Sequence, residues 1–158
     1  MEFRFDDGSV SVYTDPRRFG IADVFDRAEE PIQSLLEHLG PEPFDDWNAT
    51  IAAQRIGKKR SAIKTTLLDQ RFVVGVGNIY ACEALHRSGI APTTPSNVLV
   101  RKNGAPTKRL ERLVDEVKSV LNAAIAVGGS TLNDFAAVDG TLGYFGHHFQ
   151  VYDREDGP

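Results

Sequence analysis

The sequence predicts an α+β fold that is mostly α, in which a short β region precedes a helical body. Two alternating runs, residues 3–5 and 10–13, flank the turn-forming Asp6-Asp7-Gly8 and are typical of a β-hairpin. After residue 40 the apolar residues recur at helical spacing instead. With 158 residues, 41% of them hydrophobic, the chain has the size of one ordinary domain or of two small ones that share a core.

The elements after the hairpin follow from end signals and apolar spacing. A loop with Arg17 and Phe19 precedes a predicted strand at 21–25. Pro31 begins a predicted helix that extends to Leu39, where Gly40-Pro41 ends it. Further segments are predicted by the same criteria: a helix at 46–55, a pair of helices within 61–92, a long helix after Thr107 that ends at Gly128-Gly129, a short helix from Ser130, and a strand at 148–152.

The pair of helices within 61–92 is joined by the turn Gly75-Val76-Gly77-Asn78. Both glycines allow backbone geometry that a residue with a Cβ resists. Asn78 is suited to cap the second helix, whose first amides would then be free to hold an anion, and Gly89 ends that helix. Considered alone, the pattern also fits an ordinary helical hairpin in a core.

Charge is unevenly distributed along the chain. The net charge is −4 with a pI near 5.5, which argues mildly against a nucleic-acid partner. Yet residues 55–71 contain a single acid, Asp69, and a band of basic residues: Arg55, Lys58, Lys59, Arg60, Lys64 and Arg71. Such a band suits a phosphate-binding face, and its alternative is a solvated surface.

Several function classes are excluded by missing motifs. The chain has no Gly-x-Ser-x-Gly, no phosphate-loop lysine motif and no His-Glu-x-x-His. His147 and His148 are adjacent, so in a strand they point to opposite faces and cannot chelate one metal together. The single cysteine, Cys82, excludes an internal disulfide and is predicted to be a buried thiol. No apolar run approaches the length of a membrane span, and we expect a cytoplasmic protein.

An ordered set of motifs resembles one family over residues 15–152. The motifs are Asp15-Pro-Arg-Arg-Phe-Gly, Leu39-Gly-Pro-Glu-Pro, Ala62-Ile-Lys, Val74-Gly-Val-Gly-Asn-Ile-Tyr-Ala, Gly89-Ile-x-Pro, Gly128-Gly-Ser-Thr-Leu-x-Asp-Phe, Asp139-Gly-x-x-Gly-Tyr-Phe and Gln150-Val-Tyr. In this order they resemble the bacterial formamidopyrimidine-DNA glycosylases, the family shared with endonuclease VIII. The resemblance implies a helix–two-turn–helix DNA-binding domain at 28–152, preceded at 1–27 by the last strands of an incomplete β-sandwich.

The resemblance also assigns residues to DNA. Lys64 and Asn78, with Gly77 in the same turn, are expected to hold phosphates beside a nucleotide flipped from the duplex. Arg17 is expected to contact the orphaned base, and Phe19 to fill the gap, because extruding a base costs a few kcal/mol that inserted side chains must offset. Tyr144 is expected to touch the DNA backbone. A loop is expected to close over the flipped base, formed by Val138, Asp139, Gly140, Thr141, Leu142 and Gly143.

The two ends of the sequence depart from the family pattern. Relatives begin with a processed proline that attacks the sugar, followed by a glutamate acid, and Met1-Glu2-Phe3 does not match that start. They continue with a four-cysteine zinc finger, to which residues 153–158 would be the linker. We therefore expect a fragment with no catalytic residue and no metal, whose full-length parent binds zinc.

The expected partner is double-stranded DNA that contains oxidised bases, such as 8-oxoguanine and formamidopyrimidine, or abasic sites. The alternatives are a stand-alone, non-catalytic DNA-binding module and a helical interaction domain. Exposed β edges at 3–13 or 21–25 also suggest a homodimer. Location at the bacterial nucleoid within the cytoplasm follows from the resemblance.

Overall fold

The computed structural model describes residues 1–15, 20, 36–128 and 150–152. It divides the chain into two compact units, Met1–Glu37 and His38–Pro158. The elements in the described ranges are strands β1 (Glu2–Arg4) and β2 (Val10–Val12), helices α1 (Ala49–Ile56), α2 (Ile63–Leu68), α3 (Asn78–Ser88) and α4 (Lys108–Ala126), and a 3-10 helix at Ser96–Leu99. The predicted order, strands before helices, is confirmed.

The predicted N-terminal hairpin is present. β1 and β2 pair antiparallel, with Glu2 opposite Val12, around a turn in which Gly8 has a φ of 83°. In that turn the hydroxyl and amide of Ser9 donate to the carboxylate of Asp7 and hold its pKa below the ordinary value. Every residue of both strands is exposed. Dimerisation through this edge stays a prediction, and the predicted strand at 21–25 lies outside the described residues.

The core of the second unit lies among its helices. α3 packs along α4, α1 also contacts α4, and α2 contacts α3. Trp47 and Phe72 meet edge-to-face with centroids 6.1 Å apart. The apolar stripe predicted on the long helix is buried at seven positions: Leu110, Leu113, Val114, Val117, Val120, Leu121 and Ala124. Ile125, an apolar residue of the same helix, is instead 67% exposed.

Local signals set the ends of these helices. Asn48 caps α1 by accepting from the amides of Thr50 and Ile51, each at 3.0 Å, so the helix begins three residues later than predicted. Thr107 caps α4 as predicted. Gly89 ends α3 in the left-handed conformation, with φ 66°.

Three predicted features fall mainly outside the described residues: the helix at 31–39, the short helix from Ser130, and the boundary between residues 27 and 28. The 3-10 helix at Ser96–Leu99 lies in a region for which we predicted no helix or strand. Among the helices that the structure describes, none combines the length and the apolar character needed to cross a membrane.

Candidate functional site

A loop fixes the helix that carries Lys64. The amides of Ile63 and Lys64 at the start of α2 donate to the carbonyls of Thr94 and Pro92, at 2.8 and 3.2 Å. These carbonyls satisfy donors that a helix start otherwise leaves unpaired. A hydroxyl chain strengthens the same junction, since the Thr66 side chain lies 2.8 Å from that of buried Ser96. Lys64 is thereby held next to Pro92.

The glycine turn is fixed by a side chain that the sequence did not single out. The Gln70 side-chain oxygen accepts from the amide of Gly75 at 2.9 Å, and its nitrogen donates to the carbonyl of Val76 at 3.4 Å. Gly75 has a φ of 79°, which confirms the predicted need for glycine. Gly77 has a φ of −92°, a conformation open to any residue, so the same expectation is wrong there.

A close backbone approach also fixes the segment that leads into this turn. The amide of Gly40 donates to the carbonyl of Gln70 at 2.7 Å. A Cβ at Gly40 would lie 2.7 Å from the carbonyl oxygen of Arg71, closer than real contacts allow. Arg55, from the predicted basic band, donates to that same carbonyl of Arg71 at 2.7 Å. One member of the band therefore binds the backbone of the segment between α2 and the glycine turn.

The first turn of α3 lacks a side-chain cap. We predicted Asn78 as the cap, and this is wrong: Gly77 occupies the cap position with extended backbone, and Asn78 is the first helical residue. Gly77 has no side chain to accept a hydrogen bond, so none caps these amides. The Asn78 side-chain oxygen instead lies 3.8 Å from the sulfur of Cys82. A helix start without a side-chain cap is a place where the helix dipole favours an anion, and the binding of an anion here stays a prediction.

Lys64 and Asn78 line one cavity of about 510 Å³. Between them the cavity has a cationic side chain, an amide side chain and the start of α3, and none of its described lining residues is acidic. Cys82 lies in the same wall and is partly exposed, so the prediction of a buried thiol is wrong. The lining residues are Lys64, Asn78, Cys82, Leu85, His86, Gly89, Ile90, Ala91, Pro92, Val151 and Tyr152.

The far wall of the cavity comes from a distant part of the sequence. Val151 and Tyr152 line it, and the amides of residues 150–152 donate to the carboxylate of Glu83 at 2.9–3.1 Å. Residues 150–152 form a bend rather than the strand that we predicted at 148–152. Sequence reasoning missed both Glu83 and Tyr152. The available signal was a glutamate between Ala81 and Leu85 on the helix face that is buried.

A second basic cavity, of about 460 Å³, lies elsewhere on this unit. Lys58, Arg101 and Lys102 line it together with Gly57 and Gly104. It shares no lining residue with the first cavity. Within the described ranges none of these three cations forms an ion pair, which makes them useful comparison positions for Lys64.

The remaining predicted site residues lie outside the described residues: Arg17, Phe19, Tyr144 and the loop 138–143. Their roles stay predictions. In the ranges that the structure describes, no three His, Cys, Asp or Glu side chains are grouped so as to hold a metal ion.

Comparison with known proteins places this geometry in a family. Residues 39–136 match the formamidopyrimidine-DNA glycosylase H2TH domain. The chain is 47% identical over 157 residues to the formamidopyrimidine-DNA glycosylase of Afipia carboxidovorans, covering 99% of this chain and 53% of the relative. The chain belongs to the formamidopyrimidine-DNA glycosylase family. The glycosylase of Caulobacter vibrioides is 46% identical over the same number of residues, so the chain spans about half the length of these relatives.

Solved structures of the family have the same fold. The MutM (Fpg) protein of Thermus thermophilus superposes with a TM-score of 0.82 at 33% identity, covering 98% of this chain and 56% of that one. Lactococcus lactis Fpg in complex with abasic-site DNA gives a TM-score of 0.79 at 30% identity, covering 97% of this chain and 54% of that one. The helix–two-turn–helix architecture preceded by strands is therefore confirmed.

Proposed function

We propose that this chain is the DNA-gripping part of a base-excision-repair glycosylase and AP lyase that acts on oxidised purines, and that the cavity lined by Lys64 and Asn78 receives DNA phosphates. The observation that carries the proposal is a cavity lined by a lysine and by the amide side chain of Asn78, without a described acidic lining residue, where Asn78 is the first residue of a helix that has no side-chain cap. Charge-assisted hydrogen bonds and a helix N-terminus are the usual means by which proteins hold phosphate.

The relatives support the choice of partner. Two of the Lactococcus lactis Fpg structures that resemble this chain contain DNA, one with an abasic site and one with Fapy-dG. The proposal extends the same DNA to this chain, in which Arg17, Phe19, Tyr144 and the loop 138–143 have the roles that the family resemblance gives them. Zinc is proposed only for the full-length parent, at residues that are not in this sequence.

Binding to an abasic-site duplex, measured by fluorescence anisotropy over a salt series, tests the proposal. Lys64→Ala should weaken binding by about tenfold or more, since a charge-assisted hydrogen bond contributes roughly 1.5–3 kcal/mol. The slope of log K against log salt should fall by about 1, because one phosphate contact is lost. Lys102→Ala removes the same charge from the second cavity and should change both quantities much less.

Equal losses in the two lysine variants would mean that general charge, not this cavity, holds the DNA. Borohydride treatment of the same complexes tests the chemistry, because a lyase that forms a Schiff base is trapped on DNA by reduction. We propose that the 158-residue polypeptide binds without being trapped. A covalent adduct with the abasic duplex would contradict that part of the proposal.

A further inference from the structure

Glu83 is a fully buried carboxylate, with 0% of its surface exposed. It lies on the inner face of α3, between Ala81 and Ala84, which are equally buried. Its partners are three consecutive backbone amides that lie 67–69 residues further along the chain. The Gln150 amide lies 3.0 and 2.9 Å from the two carboxylate oxygens, while the amides of Val151 and Tyr152 approach one oxygen at 3.0 and 3.1 Å.

A buried carboxylate destabilises the folded protein unless its oxygens accept hydrogen bonds or face an opposite charge. Burying a carboxylate costs several kcal/mol, which only hydrogen bonds or an opposite charge offset. In the described part of the chain no basic side chain forms an ion pair with Glu83. Among the residues that the structure describes, the three amides provide this offset, in the way that successive backbone N–H groups bind anions elsewhere. Because carboxylate and amides satisfy each other, moving the segment 150–152 would leave a buried charge without partners.

The segment that Glu83 holds is the same one that walls the cavity. Val151 and Tyr152 line it, and so do Asn78 and Cys82 of α3. Glu83 is a residue of α3, so its carboxylate connects this helix to the segment 150–152. These hydrogen bonds therefore join two parts of the cavity lining, α3 and residues 151–152.

We propose that Glu83 is a positioning residue for the DNA site: its carboxylate fixes the backbone of residues 150–152 so that the wall formed by Val151 and Tyr152 faces the phosphate cavity. This inference rests on the proposed function for its DNA readout. The anchoring itself is a property of the free protein and is tested without DNA.

The first experiment measures amide hydrogen exchange of the free 158-residue protein by NMR. Glu83→Gln keeps the shape but replaces one acceptor oxygen with an NH₂ group that faces backbone donors. Exchange at the amides of residues 150–152 should become about tenfold or more faster, because the lost hydrogen bonds protect them. Glu116→Gln, a matched change on α4 whose partner Arg112 lies 4.0 Å away, should leave these amides unchanged. Equal protection in Glu83→Gln and wild type would overturn the inference.

The second experiment is a double-mutant cycle on binding to the abasic-site duplex. Glu83→Gln and Tyr152→Ala should each weaken binding by about fivefold or more, and together hardly more than either alone, because both act through one wall. Lys64→Ala removes a charge rather than the wall, so its effect should add more fully to that of Glu83→Gln than the effect of Tyr152→Ala does. If Glu83→Gln only destabilised the fold, its effect on binding would combine in the same way with Tyr152→Ala and with Lys64→Ala.

The outcomes separate the two proposals. If the wild type does not bind the duplex, the proposed function fails, while the exchange data still decide the anchor. If the wild type binds and Glu83→Gln binds equally well, the positioning role is wrong. If Glu83→Gln does not fold, as judged by circular dichroism, Tyr152→Ala takes its place in the test. Weaker binding by Tyr152→Ala supports a role of residues 151–152 in the DNA site, and unchanged binding overturns the proposal.

Discussion

Lys64 and Asn78 reach the same cavity by different routes. Lys64 is held by the loop carbonyls of Thr94 and Pro92, which pair with the first amides of α2. Asn78 is held by the turn, in which Gln70 hydrogen-bonds to both Gly75 and Val76. The geometry at the cavity therefore depends on backbone contacts made by residues that carry no charge.

Gln70→Ala should show how much of the turn depends on one side chain. The variant loses the bond from the amide of Gly75 and the bond to the carbonyl of Val76, so we expect a loss of about 1 kcal/mol in the free energy of unfolding. Urea denaturation followed by circular dichroism measures it. Gln54→Ala, at an exposed position on α1, is the control and should change stability by less than about 0.5 kcal/mol. Equal stability of the two variants would mean that the glycines alone shape the turn.

At the scale of the element, helix α3 is capped at its C-terminus by Gly89 and has no side-chain cap at its N-terminus. Its C-terminus is closed by Gly89, whose amide donates to the carbonyl of His86 at 2.9 Å. Its N-terminus begins at Gly77 without a side-chain cap, although serine or aspartate at that position would stabilise the helix. We propose that a DNA phosphate takes the place of the missing side-chain cap, so a substitution that supplies a cap should weaken binding.

Gly77→Asp tests this trade-off. A carboxylate at the cap position accepts from the first amides and complements the helix dipole, so we expect the protein to gain about 0.5–1 kcal/mol in stability. Binding to an abasic-site duplex should weaken by about tenfold or more, because the same amides are occupied and the phosphate meets a negative charge. Thermal unfolding and anisotropy measure the two effects. Gly77→Ser, which caps without charge, should fall between the aspartate variant and wild type.

Unchanged binding by Gly77→Asp would exclude the start of α3 as a phosphate site. Increased stability together with weakened binding would separate the cap from general folding effects.

Elements with local signals were predicted well, and those with long-range causes were not. Thr107 caps the start of α4 and Gly89 caps the end of α3, both where the sequence indicates, since capping depends on neighbouring residues. The bend at 150–152 was predicted as a strand. Its hydrogen-bond partner, Glu83, lies 67 residues away from Gln150, and such a contact produces no periodic pattern in the sequence. The cap of α3 was misplaced by one residue, since Asn is the stronger capping residue but Gly77 takes the extended backbone.

The molecule as a whole reconciles an acidic net charge with a phosphate site by separating the charges. The net charge is −4, yet no described lining residue of the Lys64 cavity is acidic. The nearby acid on α3, Glu83, is buried and accepts hydrogen bonds from backbone amides. The proposed DNA contacts are also divided between units. The core from Trp47 to Ala124 and the cavity belong to His38–Pro158, whereas Arg17 and Phe19 belong to Met1–Glu37.

This division predicts the behaviour of a polypeptide of residues 38–158. It contains the whole described core, so it should unfold cooperatively and bind duplex DNA with strong salt dependence. It lacks Arg17 and Phe19, which are proposed to occupy the gap left by a flipped base, so its preference for an abasic-site duplex over an undamaged one should fall by about fivefold or more. Anisotropy with both duplexes measures the ratio, and the 158-residue chain with Arg17→Ala is the matched control. If residues 38–158 discriminate as well as the longer chain, lesion preference arises from the helical unit and not from these two side chains.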